Sequence, residues 1–134
     1  MAGTFKLRIV SPQGNILQEE VEFAILPGEA GELGILPHHA PLISNLKIGV
    51  LRYTLNGEIK RVAISGGFAE ISDNQAAILA DTAERGEMID LQRALAAKER
   101  AEKRLVGSTN DIDLRRAEIA LRKAIARIGA VGGQ

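Results

Sequence analysis

The sequence predicts a mostly β chain of the α+β class: an N-terminal β-sandwich followed by a C-terminal antiparallel two-helix hairpin. Three observations predict it. Apolar and polar residues alternate in period two up to about Asp81, and turn-forming Gly, Pro and Asn recur between these stretches. After "AERGE" the chain switches to the helix formers Ala, Leu, Lys, Glu and Arg.

Each element follows from local pattern. In "FKLRIV", Phe5, Leu7 and Ile9 share one face and Lys6 and Arg8 the other, which reads as a half-buried strand. "SPQG" at 11–14 supplies a turn, and Asn56-Gly57 between "VLRYTL" and "EIKRVAI" is a strong hairpin signal. Gly28, Gly31 and Gly34 divide the middle into loops and short extended pieces, while "SGGFAEI" and "AAILAD" read as two strands joined by "SDNQ". The first helix starts behind Asp90 as N-cap and presents Leu91, Ala94, Ala97, Ala101 and Leu105. "VGSTND" at 106–111 interrupts it, and a second helix from near Asp111 presents Leu114, Ala117, Leu121, Ala124 and Ile128. The closing "GAVGGQ" holds too much glycine to be expected in order. The expected division is a sandwich over 1–86 and a hairpin over 87–134.

Composition narrows the function classes. With 134 residues, 46% hydrophobic and 25% charged, the chain suits a folded protein with a modest core. Aromatic residues reach only 3% and Trp is absent, so stacking platforms for nucleic acid are missing. There is no Cys, which removes disulfides, thiolate catalysis and sulfur-bound zinc. No apolar run approaches the roughly 20 residues of a membrane span, and the start reads as neither signal nor transit peptide, so a cytosolic chain is expected, or one held to a membrane only by partners. Residues 1–86 carry 7 Lys/Arg against 10 Asp/Glu, whereas 87–134 carry 10 against 7. The hairpin is the basic part and suits an acidic surface.

Candidate chemistry is sparse. Both histidines lie in "GELGILPHHAPL" at 31–42, near Glu29 and Glu32. Adjacent residues in extended chain point in opposite directions, so His38 and His39 are poorly placed to share a metal. Pro37 and Pro41 stiffen the backbone, and a rigid loop with one imidazole bonded to backbone is the plainer expectation. "SGGF" lacks the Lys-Ser/Thr of a phosphate loop, and no serine sits in a nucleophile elbow. "IDLQRA" at 89–94 and "IDLRRA" at 112–117 repeat a theme. Each reads as an Asp near a helix start with Arg on the wet face, or as one side of an anion site in which Arg93 and Arg127 face one another.

Taken together, "GELGILPHHAPL", "SGGFAEI", "ILADTAERGE" and "IDLQRA" resemble the ε subunits of bacterial F-type ATP synthases over essentially the whole chain. The resemblance implies a sandwich of about ten strands and a non-catalytic rotor subunit of proton-driven ATP synthesis, with no cofactor required. It implies that the sandwich binds the γ subunit and rests on the c ring, Glu32 facing the ring and His39 the γ side. It further implies that the hairpin inhibits ATP hydrolysis by extending into the α and β subunits, through the basic residues Arg115, Arg116, Arg122, Lys123 and Arg127. A thin Ala-lined interface and a Gly107-Ser108 hinge suit that switch. A regulatory ATP site is implied at Glu84, Ile89, Asp90, Arg93, Ala94, Lys123 and Arg127, with Lys123 replacing a planar guanidinium and weakening the site. The implied location is the cytoplasmic face of the bacterial membrane, peripheral. On residues alone, a free-standing β-sandwich adaptor and a small metal-dependent hydrolase built on the histidines stay open as alternatives.

Overall fold

Among residues 3–131, which the computed structural model describes, eight strands are followed by a single 3-10 turn and two helices. The strands are β1 (Phe5–Ser11), β2 (Gly14–Val21), β3 (Phe23–Gly28), β4 (Gly31–Ile35), β5 (Leu42–Leu55), β6 (Glu58–Ser72), β7 (Gln75–Ala80) and β8 (Ala83–Arg85). The order across the sheet is β2-β1-β7-β6-β5-β3-β4, with β8 on β6. β1 and β7 run parallel and the other pairs antiparallel. The expected Asn56-Gly57 turn is present with both residues at positive φ, as a two-residue hairpin requires, and Asp73-Asn74 repeats that geometry between β6 and β7.

The sheet folds over to make two layers, and this explains why eight strands stand where ten are expected. β5 and β6 run 14 and 15 residues and pass through a corner at Gly66-Gly67. Their first and second halves serve different layers: β6 pairs with β8 over Val62–Ile64 and with β7 over Gly67–Ser72. A Cβ on Gly67 would lie 2.0 Å from the Leu79 carbonyl oxygen, and φ at Gly66 and Gly67 is 92° and 121°, so the corner needs glycine. "SGGFAEI" is therefore the continuation of β6, not a separate strand. Likewise Gly28 and Gly31 frame a tight β3–β4 hairpin where loops are expected.

The inward halves of the alternating strands meet in one core. Phe5, Leu7, Ile9, Leu26, Leu51, Val62, Ile64 and Ile78 are all buried to within 1% exposure. At about 1.5–3 kcal/mol for each large apolar side chain, this core supplies most of the sandwich's stability.

Helices α1 (Leu91–Gly107) and α2 (Asp111–Ala130) lie antiparallel behind the sandwich. Asp90 caps α1 by accepting the Arg93 amide, as expected. α2 starts at Asp111, as expected, and its cap is Asn110, which accepts the amide of Asp113 at 2.8 Å. The two "ID-L" motifs are thus alike in sequence and different in place: Asp90 caps, whereas Asp113 sits in the first turn. The interface between the helices is alanine: Ala94 and Ala101 against Ala117 and Ala124, all buried, with Leu91, Leu105, Leu114, Leu121 and Ile128 half-buried. Within "GAVGGQ", Gly129 and Ala130 are helical because they pack on Val50 and Gly86, contacts that outweigh the cost of a helical glycine, about 1 kcal/mol. Residues 132–134 of that tail lie outside the described residues.

Candidate functional site

A cleft of about 200 Å³ opens where three elements converge, lined by Glu84 from β8, Met88, Ile89 and Asp90 from the connector, Arg93, Ala94, Ala97 and Arg100 from α1, and Arg127 from α2. Six of the seven residues expected around ATP line it. Arg127 donates through Nε to Glu84 Oε1 at 2.6 Å, tying α2 to the sandwich. Arg93 and Arg100 make no ion pair among the described residues and lie seven residues apart on one helix face. Arg93 is also the third residue of α1, where the helix dipole disfavours a cation. Ile89, Ala94 and Ala97 give the cleft an apolar wall. Three guanidinium groups beside two carboxylates, one already bonded to Arg127 and one to the helix start, make the cleft receptive to an anion.

Lys123, the seventh expected residue, lies elsewhere. It lines a shallow neighbouring depression with Ser65, Thr82, Ala126 and the shared Glu84 and Arg127. Arg115, Arg116, Arg122 and Lys123 are exposed on α2, while Arg127 is half-buried and already paired. Arg100, which the sequence reading passed over, enters because it repeats the Arg93 face two turns on.

The stretch 31–42 divides between two ends of the sandwich. Glu32 is not in the Pro-framed loop but in β4, opposite Pro27, and accepts a bond from Arg52 Nη2 at 2.9 Å. His38 and His39 follow at the other end of β4. The amide of His38, at φ 63°, donates to Asn74 Oδ1 at 2.8 Å, anchoring the loop to the β6–β7 turn. His39 Nδ1 lies 2.7 Å from the Ala40 carbonyl oxygen, the backbone bond expected of one imidazole. Among the described residues no three His, Asp or Glu side chains come together as metal ligands.

An apolar patch missing from the sequence reading covers the outer face of β1, β7 and β6. Val10, Leu79 and Phe68 stand in one row across the strands, and Phe68, Leu79 and nearby Ile43 are 42%, 38% and 71% exposed. A depression of about 330 Å³ runs between Val10, Pro12, Phe68 and Leu79. The signal was present in "QAAILA", which is apolar on both faces of β7 where strict alternation would leave one polar. Among the described residues no helix is long and apolar enough to cross a membrane.

Comparisons with known proteins agree along the whole chain. The sequence profile of the ATP synthase delta/epsilon chain β-sandwich domain matches residues 4–86, and that of the delta/epsilon chain long α-helix domain matches 87–132. The ATP synthase epsilon chain of Desulfitobacterium hafniense (strain DSM 10664 / DCB-2) is 66% identical over 130 residues, covering 97% of this chain and 98% of the relative. That of Desulforamulus reducens is 53% identical, with 97% and 98% covered. A chain in the cryo-EM structure of the Euglena gracilis mitochondrial ATP synthase OSCP/F1/c-ring assembly superposes with TM-score 0.84 at 27% identity, covering 98% of this chain and 83% of that one. A chain of the Tetrahymena thermophila central stalk and c-ring structure has TM-score 0.58 at 16% identity, covers 94% and 92%, and speaks for the fold alone. By its sandwich and its helices alike, this chain belongs to the ATP synthase delta/epsilon chain family.

Proposed function

We propose that the chain is a non-catalytic central-stalk subunit of the ATP synthase, seated by its sandwich on the γ subunit and the c ring, and that its hairpin restrains ATP hydrolysis. The apolar row Val10, Leu79 and Phe68 is the face offered to γ, together with the His38–His39 loop that is bonded to the β6–β7 turn. Glu32 and Arg52, at the other end of β4, are offered to the polar loops of the ring. Lifted from the sandwich, α2 would carry Arg115, Arg116, Arg122 and Lys123 toward an acidic segment of the α and β subunits. The complex itself holds the subunit at the cytoplasmic face of the membrane.

One observation carries the regulatory part: the cleft exists only where β8, α1 and α2 meet. A ligand spanning Glu84, Arg93 and Arg127 binds the docked hairpin and not the lifted one. ATP fits this chemistry, with its phosphates on the arginines and its base against Ile89, Ala94 and Ala97. Such a ligand stabilises the docked state by RT ln(1 + [L]/Kd) and so relieves inhibition.

The test is reconstitution with the catalytic head and γ. The full chain should copurify with γ and slow ATP hydrolysis at low ATP, and the restraint should fade as ATP rises. Failure to copurify with γ would remove the stalk reading; equal inhibition at all ATP concentrations would remove the ATP-sensing part and leave the rest.

A further inference from the structure

We infer that Gly86 is the latch of the hairpin: the absence of a side chain there is what lets the C-terminal end of α2 seat on the sandwich. A Cβ built on Gly86 would lie 2.0 Å from the Ala130 carbonyl oxygen, so helix backbone fills the space a side chain would need. Gly86 is buried, and its φ lies outside the left-handed region, so alanine or valine is excluded by space and not by backbone conformation. The oxygen it meets belongs to the last residue of α2, which has no free rotamer with which to yield.

The rest of the contact explains why one atom carries such weight. α2, not α1, packs on β5 and β6, so α1 reaches the sandwich chiefly through its partner helix. The docked surface is small: Ala126 and Ala130 meet Ala63, with Ile48, Val50 and Ile89 around them. Residues of this size bury little area and interdigitate shallowly, so the surface has few contacts with which to absorb a displacement. Moving the end of α2 outward by the width of a methyl group would separate Ala126 from Ala63 and pull Arg127 away from Glu84. Gly86 also sits two residues beyond Glu84, on the segment that forms one wall of the cleft. The inference extends the proposed regulation to the residue that permits docking, but docking itself can be read without ATP or any other subunit.

The experiment uses the full chain with spin labels at Glu70→Cys, on β6, and Glu118→Cys, on α2, both exposed; no native cysteine interferes. The parent chain should give one docked distance distribution. Gly86→Val should lose it and Gly86→Ala should lose part of it, while the amide signals of Leu51, Val62 and Ile78 keep the sandwich pattern. Gly3→Ala, whose Cβ meets nothing within 4 Å and which lies outside the hairpin, should leave the distribution unchanged. A folded Gly86→Val chain with the parent distribution overturns the inference. A Cβ at Gly86 would also approach the Arg61 carbonyl oxygen at 3.1 Å, so the pair is repeated in chains ending at Ile128, which lack the α2 oxygen. There Gly86→Val should have no further effect; loss of the sandwich pattern in both backgrounds would move the clash to β6 and equally overturn the latch. ATP failing to bind any of these chains would bear on the proposed ATP site and leave the latch standing.

Discussion

Replacing Arg93 by Ala should separate ligand binding from folding. Arg93 makes no ion pair among the described residues and stands at the third position of α1, where its charge opposes the helix dipole. Removing it should leave stability within about 0.5 kcal/mol of the parent, because alanine is the better helix former and an exposed position gives up little packing. If the guanidinium meets a phosphate, its loss removes a charge-assisted bond worth about 1.5–3 kcal/mol. At about 1.4 kcal/mol per decade, that is a loss of about 10- to 150-fold in ATP affinity. Titration calorimetry with ATP, beside a urea midpoint on the same sample, reads both numbers. An unchanged affinity would refute the assignment of Arg93 to the site. A large fall in stability would mean that Arg93 has a structural partner and that the cleft is wrongly drawn.

Other perturbations test other parts of the molecule. A chain ending at Gly86 should fold, since Phe5 through Ala80 supply a core in which no residue of α1 or α2 takes part, and circular dichroism should show β structure with a cooperative melt. Leu51→Ala, at 0% exposure, should lower stability by about 3 kcal/mol through the cavity it leaves, read as a lower urea midpoint at unchanged slope. Phe68→Glu should keep the melting temperature, because Phe68 is 42% exposed, and should weaken copurification with γ. Glu32→Ala should cost less than about 1 kcal/mol in folding, its pair with Arg52 being surface-exposed, while lowering coupling in the assembled enzyme; unaltered coupling would take Glu32 out of the ring contact.

Local chemistry made much of the fold legible. Asn56-Gly57 and Asp73-Asn74 announce their hairpins because few residues tolerate positive φ twice in succession. The alternation of Phe5, Leu7 and Ile9, and the alanine stripes of both helices, predict their buried faces correctly. What escaped depends on residues far apart in sequence. Gly66-Gly67 looks like a break, yet β6 continues because Leu79 and Ala80 of β7 press on that corner. Gly129 looks like the start of a loose tail, yet its helix continues because Val50 lies against it. At the cleft, the motif around Asp90 and the facing Arg93 and Arg127 came from the residues themselves, and the resemblance added Glu84. Spacing could not reveal that Arg127 is already bonded to Glu84, that Lys123 lines the neighbouring depression, or that Arg52 has claimed Glu32 from 20 residues away.

The two long strands have a mechanical meaning. In a sandwich whose layers touch only through side chains, a sideways force on one layer is resisted by packing, which yields by sliding. Here β5 and β6 cross from one layer into the other without interruption, bonded to each other on both sides of the corner. Shear applied at the Phe68 face therefore reaches the Glu32–Arg52 face along two covalent backbones in tension or compression. Such a sandwich carries a twisting load along its backbones, whereas the hairpin rests on it by only a small surface around Ala63, Ala126 and Ala130.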